Sequence, residues 1–246
     1  MGRGRNRRYT ARQKYQRGQT GGGDLWYATY ATDPNSIWFI ELDGTTHWGK
    51  EESLRTHVDS EYDWWWDSGE ALIYVYAATD PDSRYTSVEA GKRVYCIYGS
   101  AKSYITIQDL ECAYPYGSGI DDNNSGDSWT VTRNTVHHIG VIEDNAAHGI
   151  RITGSNSTVS HNTVYQCGQH SVYVVVAGHT ASNNIIEYNT LYDCFHTVGP
   201  DIMNLGGTMN GNIVRYNVWY TTDAFPDAGG GGGRMLCQRG KRGHLR

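Results

Sequence analysis

The chain has 246 residues, with 26 acidic and 21 basic side chains and a net charge of −5. The charge is unevenly distributed, because residues 1–18 hold seven Arg or Lys, residues 234–246 hold five, and neither segment holds an acid. No apolar stretch is long enough to cross a membrane as a helix, so the sequence predicts a soluble protein without a membrane partner. The basic ends carry no aromatic interleaving, zinc spacing or nucleic-acid-binding motif, which argues against nucleic acid as a partner.

Composition and turn signals divide the chain into four segments. Residues 1–23 and 229–246 are basic and rich in glycine, and we expect both to be disordered. Residues 24–92 are β-rich without a fixed period, with strand-like runs at 25–30, 36–42 and 71–76 between turn signals. Residues 93–228 are the repetitive part of the chain.

A hairpin is predicted where the run 62–67 is followed by the run 72–76. The first run contains three consecutive tryptophans, and indole rings can stack on sugar rings. Trp64 and Trp66 are therefore candidate sugar-binding side chains. Because alternate residues of a strand face opposite sides, at least one of the three is expected to pack inward instead.

The repetitive part is marked by Asn134, Asn162, Asn189 and Asn217, which recur at intervals of 28, 27 and 28 residues inside similar short phrases. A fixed period of this size indicates stacked repeats, each of which buries its apolar face on the next. Apolar residues nearly alternate around each Asn, which favours strands over helices. We therefore predict an all-β fold, a parallel β-helix of about five coils preceded by a small β-rich region. Stacked about 4.8 Å apart, the Asn side chains would form a hydrogen-bonded ladder along the coils.

The same segments resemble the right-handed parallel β-helix superfamily, which includes pectate-lyase-like and polygalacturonase-like proteins. The resemblance is carried by residues 103–107, 148–152 and 157–162 and by the two later Asn phrases, within about residues 94–220. It implies that the parallel β-helix is right-handed. It does not define one activity, because members include polysaccharide lyases, glycoside hydrolases, sugar epimerases and inert surface proteins.

In this superfamily the active site lies on the outer face of the strand that follows the variable loop. Asp121, Arg151 and Tyr173 each follow the first inward apolar residue of such a strand, so we expect them to face outward on adjacent coils. His148 and His170 stand ahead of these strands. A third histidine, His196, lies in the next loop and is a candidate substrate-binding residue.

Two chemistries use these residues differently. In a lyase, Arg151 would neutralise a uronate carboxylate, His148 or His170 would remove the adjacent proton, and Tyr173 would protonate the leaving oxygen. A hydrolase would need two carboxyl groups about 6.5–9.5 Å apart, and the side chains of Asp121 and its neighbour Asp122 should diverge on a strand. The lyase assembly is the preferred interpretation. Asp122 is retained as a substrate-binding candidate.

Four acids near this face could hold Ca²⁺ through their oxygens, namely Asp121, Asp122, Glu143 and Asp144. The alternative is a solvated loop without metal. Spacing also places Cys167 and Cys194 on adjacent coils, either as a small-residue stack in the core or as a disulfide.

The preferred functional prediction is a carbohydrate-active enzyme, a lyase or a related glycoside hydrolase, acting on an acidic polysaccharide. The alternative is a non-catalytic β-helix for glycan binding, adhesion or a spike. An uncapped coil end would allow self-association. The resemblance implies an extracellular protein, although the first residues lack the apolar core of a signal peptide.

Overall fold

In a computed structural model of the chain, residues 24–123, 125–142 and 144–222 are described, together with the backbone of Gln16–Arg17. The chain divides into two compact units, Met1–Glu89 and Ala90–Arg246. The sequence places this boundary after residue 92. In the described part of the chain no helix is long and apolar enough to cross a membrane.

The described residues of unit 1 form two small sheets, and the main sheet has the strand order β1-β2-β7-β6-β5. These strands are β1 (Gln16–Arg17), β2 (Leu25–Thr29), β5 (Lys50–Glu51), β6 (Asp63–Asp67) and β7 (Leu72–Tyr76). The antiparallel pairing of β6 with β7 confirms the predicted hairpin. Strand β1 pairs with β2, in contrast to the disorder predicted for residues 1–23, because it supplies partners to the free edge of β2.

The second sheet of unit 1 has the order β4-β3-β8. Its strands are β3 (Ser36–Glu41), β4 (Thr46–Trp48) and β8 (Tyr85–Gly91). The helical segments in the described part of this unit are a 3₁₀ turn at Arg55–His57 and α1 (Pro81–Arg84). The Asp80 side chain caps α1 and accepts from Asp82 N–H at 3.0 Å. Large side chains fill the core of this unit, including the fully buried Trp38, Phe39 and Trp64.

Unit 2 consists of three parallel sheets of five strands within its described residues, and the chain passes through sheets 1, 2 and 3 in turn. Sheet 1 contains β9 (Ile97–Tyr98), β12 (Ile120–Asp121), β15 (Ile150–Ile152), β18 (His170–Val176) and β21 (Thr197–Asn204). Sheet 2 contains β10 (Thr106–Gln108), β13 (Thr130–Thr132), β16 (Thr158–Ser160), β19 (Ile185–Glu187) and β22 (Ile213–Arg215). Sheet 3 contains β11 (Glu111–Ala113), β14 (Thr135–Ile139), β17 (Thr163–Cys167), β20 (Thr190–Tyr192) and β23 (Val218–Tyr220). This arrangement confirms the predicted all-β fold, a parallel β-helix of about five coils.

The core of unit 2 is made of apolar columns that run along the stack, one residue per coil. Register pairing aligns Val131 with Val159 and Val136 with Val164, and each of these side chains is buried. Because equivalent positions stack on one another, a β-branched residue in one coil packs against a β-branched residue in the next. Such side chains pack well on a pleated surface.

The Asn ladder forms at the bend between sheets 2 and 3. Asn134 Nδ2 donates to Asn162 Oδ1 at 3.0 Å, and Asn162 Nδ2 donates to Asn189 Oδ1 at 3.0 Å. Each Oδ1 also accepts the backbone N–H of the Asn above it, at 2.9 Å in both cases. Each Nδ2 also reaches a backbone carbonyl, that of Val131 for Asn162. The ladder therefore satisfies backbone groups that a buried bend would otherwise leave unpaired.

A left-handed residue precedes every ladder Asn. Arg133, His161, Tyr188 and Tyr216 have φ between 55° and 57°. Non-glycine residues adopt this conformation at a cost, and here the cost is repeated on successive coils because the bend requires it. The ladder hydrogen bonds offset that cost.

A second polar ladder lies at the bend that enters sheet 2. Ser157 N–H donates to Asn184 Oδ1 at 2.8 Å, and Asn184 N–H donates to Asn212 Oδ1 at 2.9 Å. Above them, Trp129 N–H donates to Ser157 Oγ at 3.0 Å. Sequence analysis did not identify this ladder, because its members change from Ser to Asn between coils.

We expect Asn162→Ala to destabilise the protein by about 3 kcal/mol, because it leaves Asn134 N–H and Val131 C=O without partners in a buried bend. Urea denaturation of unit 2 measures the change. Asn210→Ala, at an exposed position, is the matched control and should alter stability by less than about 0.5 kcal/mol. Equal effects of the two substitutions would contradict the role given to the ladder.

Candidate functional site

One row of outward side chains crosses sheet 1, with a residue from each coil. Register pairing aligns Tyr98, Asp121, Arg151, Tyr173 and Asp201 in that order. We call these five residues the outer row. Asp121, Arg151 and Tyr173 therefore lie on adjacent coils and face outward, as the sequence predicts.

An ion pair occupies the first half of the outer row. Arg151 Nη1 lies 3.3 Å from Asp121 Oδ2 and 3.4 Å from Asp121 Oδ1. The Asp121 side chain is 2% exposed, whereas that of Arg151 is 29% exposed. The guanidinium covers the carboxylate and remains open to a ligand itself.

A cluster of rings occupies the second half. The Tyr173 ring stacks on His170, with centroids 4.4 Å apart and an interplanar angle of 7°. The His148 centroid lies 4.6 Å from Tyr173 and 5.1 Å from His170. The exposed His196 lies against His170 at 4.8 Å. The three predicted histidines thus meet beside Tyr173, and we call these four residues the ring cluster.

Burial keeps the inner histidines of the ring cluster neutral. Desolvation, together with the neighbouring His170 and Arg151, lowers the pKa of His148 to about 3. Desolvation also lowers the pKa of His170 to about 4, although the Asp201 carboxylate opposes this shift. Burial raises the pKa of Tyr173. At neutral pH the site therefore holds neutral imidazoles beside a protonated phenol.

Asp201 and Met203 belong to the site but were not found by sequence analysis. Asp201 Oδ2 lies 3.2 Å from His170 Nδ1, and the contact does not have hydrogen-bond geometry. The Tyr173 hydroxyl lies 3.3 Å from the Met203 sulfur, a weak acceptor. Asp121 and Arg151 were identified because each follows an inward aliphatic residue. Asp201 occupies the equivalent position, but the residue ahead of it is Pro200 and not an aliphatic residue.

Asp122 is directed away from the outer row and does not contact its side chains. Its carboxylate accepts from Thr153 N–H at 2.8 Å, Thr153 Oγ1 at 2.6 Å and Gly154 N–H at 2.9 Å. It is fully buried, and desolvation raises its pKa to about 6. This places Asp122 among the bonds that join adjacent coils, in contrast to the substrate contact predicted for it.

The described residues do not assemble the predicted Ca²⁺ site. Asp122 is committed to hydrogen bonds, Asp121 is covered by Arg151, and Asp144 Oδ1 accepts from Ala146 N–H at 3.0 Å. Among the residues that the structure describes, no group of three or more His, Cys, Asp or Glu is placed to hold a metal. Glu143 lies outside the described residues, and calcium binding stays a prediction.

The tryptophans predicted to bind sugar lie in unit 1. Trp64 is 0% exposed, and a Cβ built at Gly49 would come within 2.7 Å of its ring, so it offers no face to a ligand, in contrast to the prediction. Trp66 is half-buried and its Nε1 donates to the Tyr30 carbonyl at 2.9 Å. Trp64 is buried because its ring packs closely against Gly49, where a larger residue would collide with it.

A family model described as right-handed β-helix region matches residues 82–232. This match covers more than half of the chain, and the three parallel sheets of unit 2 have the architecture that the description names. The chain therefore belongs to the right-handed β-helix family. No curated protein and no solved structure matches the chain.

Stability should fall as pH decreases from 6.5 to about 4, because the unfolded chain protonates histidines that the fold keeps neutral. The pKa is lowered to about 3 for His138 and His148 and to about 4 for His170. Each contributes about 1.4 kcal/mol per pH unit inside this window, since the unfolded state binds the additional proton there. The raised pKa of Asp122 has the opposite sign and offsets about one of these three protons below pH 6. Urea titrations at several pH values measure the slope.

His148→Gln should reduce this slope by about one proton, whereas Asn210→Ala, at an exposed position without a titratable group, should leave it unchanged. If the unfolding free energy depends equally on pH in the wild type and in His148→Gln, the fold does not keep His148 neutral.

Proposed function

We propose that the chain is a carbohydrate-active polysaccharide lyase that cleaves uronic-acid glycans by elimination at the outer row. The observation that carries the proposal is the convergence of Arg151, His170 and Tyr173 on adjacent coils of sheet 1. An elimination needs a cation for the sugar carboxylate, a neutral base and a proton donor. These three side chains are of those types.

His170 acts as the base in this proposal. It takes the proton from the carbon beside the sugar carboxylate, and the released electron pair forms the new carbon–carbon double bond while the bond to the leaving oxygen breaks. Its pKa of about 4 leaves the imidazole neutral at neutral pH. Asp201, 3.2 Å from Nδ1, stabilises the imidazolium that results.

Tyr173 donates a proton to the leaving oxygen. Burial raises its pKa, so the phenol is protonated at neutral pH. Its present contact is the Met203 sulfur at 3.3 Å, which a sugar oxygen can replace because a thioether is a weak acceptor. The adjacent His170 imidazolium can return the proton.

Arg151 binds the sugar carboxylate. Its contact with Asp121 runs through Nη1, and guanidinium has further donors in a planar fork that matches a carboxylate. Neutralising that carboxylate stabilises the carbanion-like charge that develops when the adjacent proton leaves.

Hydrolysis by paired carboxyl groups receives less support. Asp122 points away from the outer row, and Asp121 and Asp201 are separated by three coil steps, about 14 Å at the spacing of parallel strands. An inverting hydrolase needs about 6.5–9.5 Å between its carboxyl groups.

Burial is the observation that favours the non-catalytic alternative, a glycan-binding β-helix. His148 and His170 are 3% exposed and Tyr173 is 8% exposed. In the lyase proposal the exposed His196 moves aside to admit the sugar to His170. In the alternative the glycan contacts Arg151 and His196 and is not cleaved.

We expect elimination on pectate, alginate or a glycosaminoglycan, measured as the ultraviolet absorbance of the unsaturated uronate product. Arg151→Ala, His170→Gln and Tyr173→Phe should each lower kcat/KM by about 100-fold or more, because each removes a group that acts in the transition state. Matched controls lie on sheet 3 or at the bend before it, and these are Tyr165→Phe, His161→Gln and Arg133→Ala. Binding without product by folded wild-type protein would favour the alternative.

The pH profile of kcat/KM should fall at about pH 4, the pKa to which burial lowers His170, because the base must be neutral. Asp201→Asn removes the carboxylate that raises this pKa, so the acid limb should move to lower pH while kcat also falls. An acid limb near 6.5, or one that Asp201→Asn leaves in place, would exclude His170 as the base.

A further inference from the structure

Two cysteines face each other at one corner of the first coil of the β-helix. Cys96 lies directly before β9, at the register position of Gly119, and Cys112 lies in β11, at the register position of Val136. Both side chains contribute to the core cluster of unit 2. The two cysteines therefore come from opposite sides of the corner between sheets 3 and 1.

This corner is narrow in the coils that follow. A Cβ placed on Gly119 would lie 2.6 Å from Val136 Cγ1, and a Cβ placed on Gly149 would lie 2.4 Å from Val164 Cγ1. Real carbon atoms do not approach so closely. Coils 2 and 3 therefore have glycine on one side of the corner, whereas the first coil has a side chain on both sides.

The first coil fills the corner with the side chains of Cys96 and Cys112. Cys96 Sγ lies 3.7 Å from the carbonyl oxygen of Ala113, the residue that follows Cys112, so the two cysteines are neighbours across the corner. Both cysteines are free thiols. Cys96 is half-buried and Cys112 is buried, so a reagent in solvent reaches the pair through Cys96.

We propose that Cys96 and Cys112 are a dithiol site that a low-molecular-weight disulfide converts into an intramolecular disulfide. A thiolate of the pair attacks the reagent disulfide, forms a mixed disulfide and releases one small thiol. The second protein thiolate then attacks the protein sulfur of the mixed disulfide and displaces the second small thiol. The protein loses two protons and two electrons, and the reagent disulfide is reduced to two thiols.

Cys167 and Cys194 provide an internal comparison within the same molecule. They occupy equivalent positions on adjacent coils, but they are 0% and 2% exposed. Because thiol–disulfide exchange requires access to the attacked and attacking sulfurs, this pair is expected to stay reduced while the protein is folded. The two pairs therefore differ in exposure to solvent.

The experiment uses the full chain with Cys237→Ser, which removes the one cysteine outside the described residues. The folded protein is incubated with glutathione disulfide, then unfolded, alkylated and mapped by peptide mass spectrometry. We expect a link between Cys96 and Cys112, alkylated Cys167 and Cys194, and faster reaction at higher pH because contact with Cys112 and burial raise the pKa of Cys96. The melting temperature should rise by about 5–10 °C, since the link closes a short loop.

Two variants keep the test decisive. Cys96→Gly restores the residue that stands at this position in coils 2 and 3, so it should fold and leave Cys112 alkylated. Cys112→Ala should stop at a stable mixed disulfide on Cys96. A linked Cys167–Cys194 pair, a persistent mixed disulfide in the protein that retains both Cys96 and Cys112, or a Cys96–Cys112 link that forms only in denaturant would each overturn the proposal.

Discussion

The β-helix depends on one constraint, which is that a buried bend has to find its hydrogen-bond partners in the next coil. Asn162 Oδ1 accepts from the backbone of Asn134, while its own amide group donates to Val131 C=O and to the next Asn. The buried backbone groups of such a bend are hydrogen-bonded only if the following coil bends at the same place. The strict spacing of 27 or 28 residues is therefore a requirement for buried polar groups, and the apolar columns follow from it.

That constraint positions the outer row, although no member of the row belongs to the ladder. Stacking in register fixes which residues of sheet 1 are neighbours, so Arg151 stands between Asp121 and Tyr173. The loops ahead of these strands differ in length from coil to coil. Regular stacking thus supplies a rigid strand face, the loops supply His148 and His196 at its edge, and the first residue of β18 is His170.

The repeated features of the fold could be predicted from the sequence, whereas residues at which the repeat is interrupted could not. The Asn phrases led to the fold and the coil count. The apolar residue ahead of Asp121, Arg151 and Tyr173 led to their outward direction. The second ladder was missed because Ser157 and Asn184 are different residue types that fill the same place. Asp201 was missed because Pro200 replaces the aliphatic residue that marked the other strands. Burial of Trp64 depends on its packing against Gly49, a contact within unit 1 that no periodic signal encodes.

The ring cluster connects stability with chemistry through a single physical cause. Removing His148 and His170 from water makes their protonation unfavourable, which lowers their pKa to about 3 and about 4. The same desolvation leaves a neutral imidazole available as a base at neutral pH and makes the folded state sensitive to acid. Asp201 opposes the shift at His170 and has no comparable counterpart at His148, where Arg151 adds to it. Of the two histidines, His170 is therefore better suited to accept a proton, and His148 to support the ring stack.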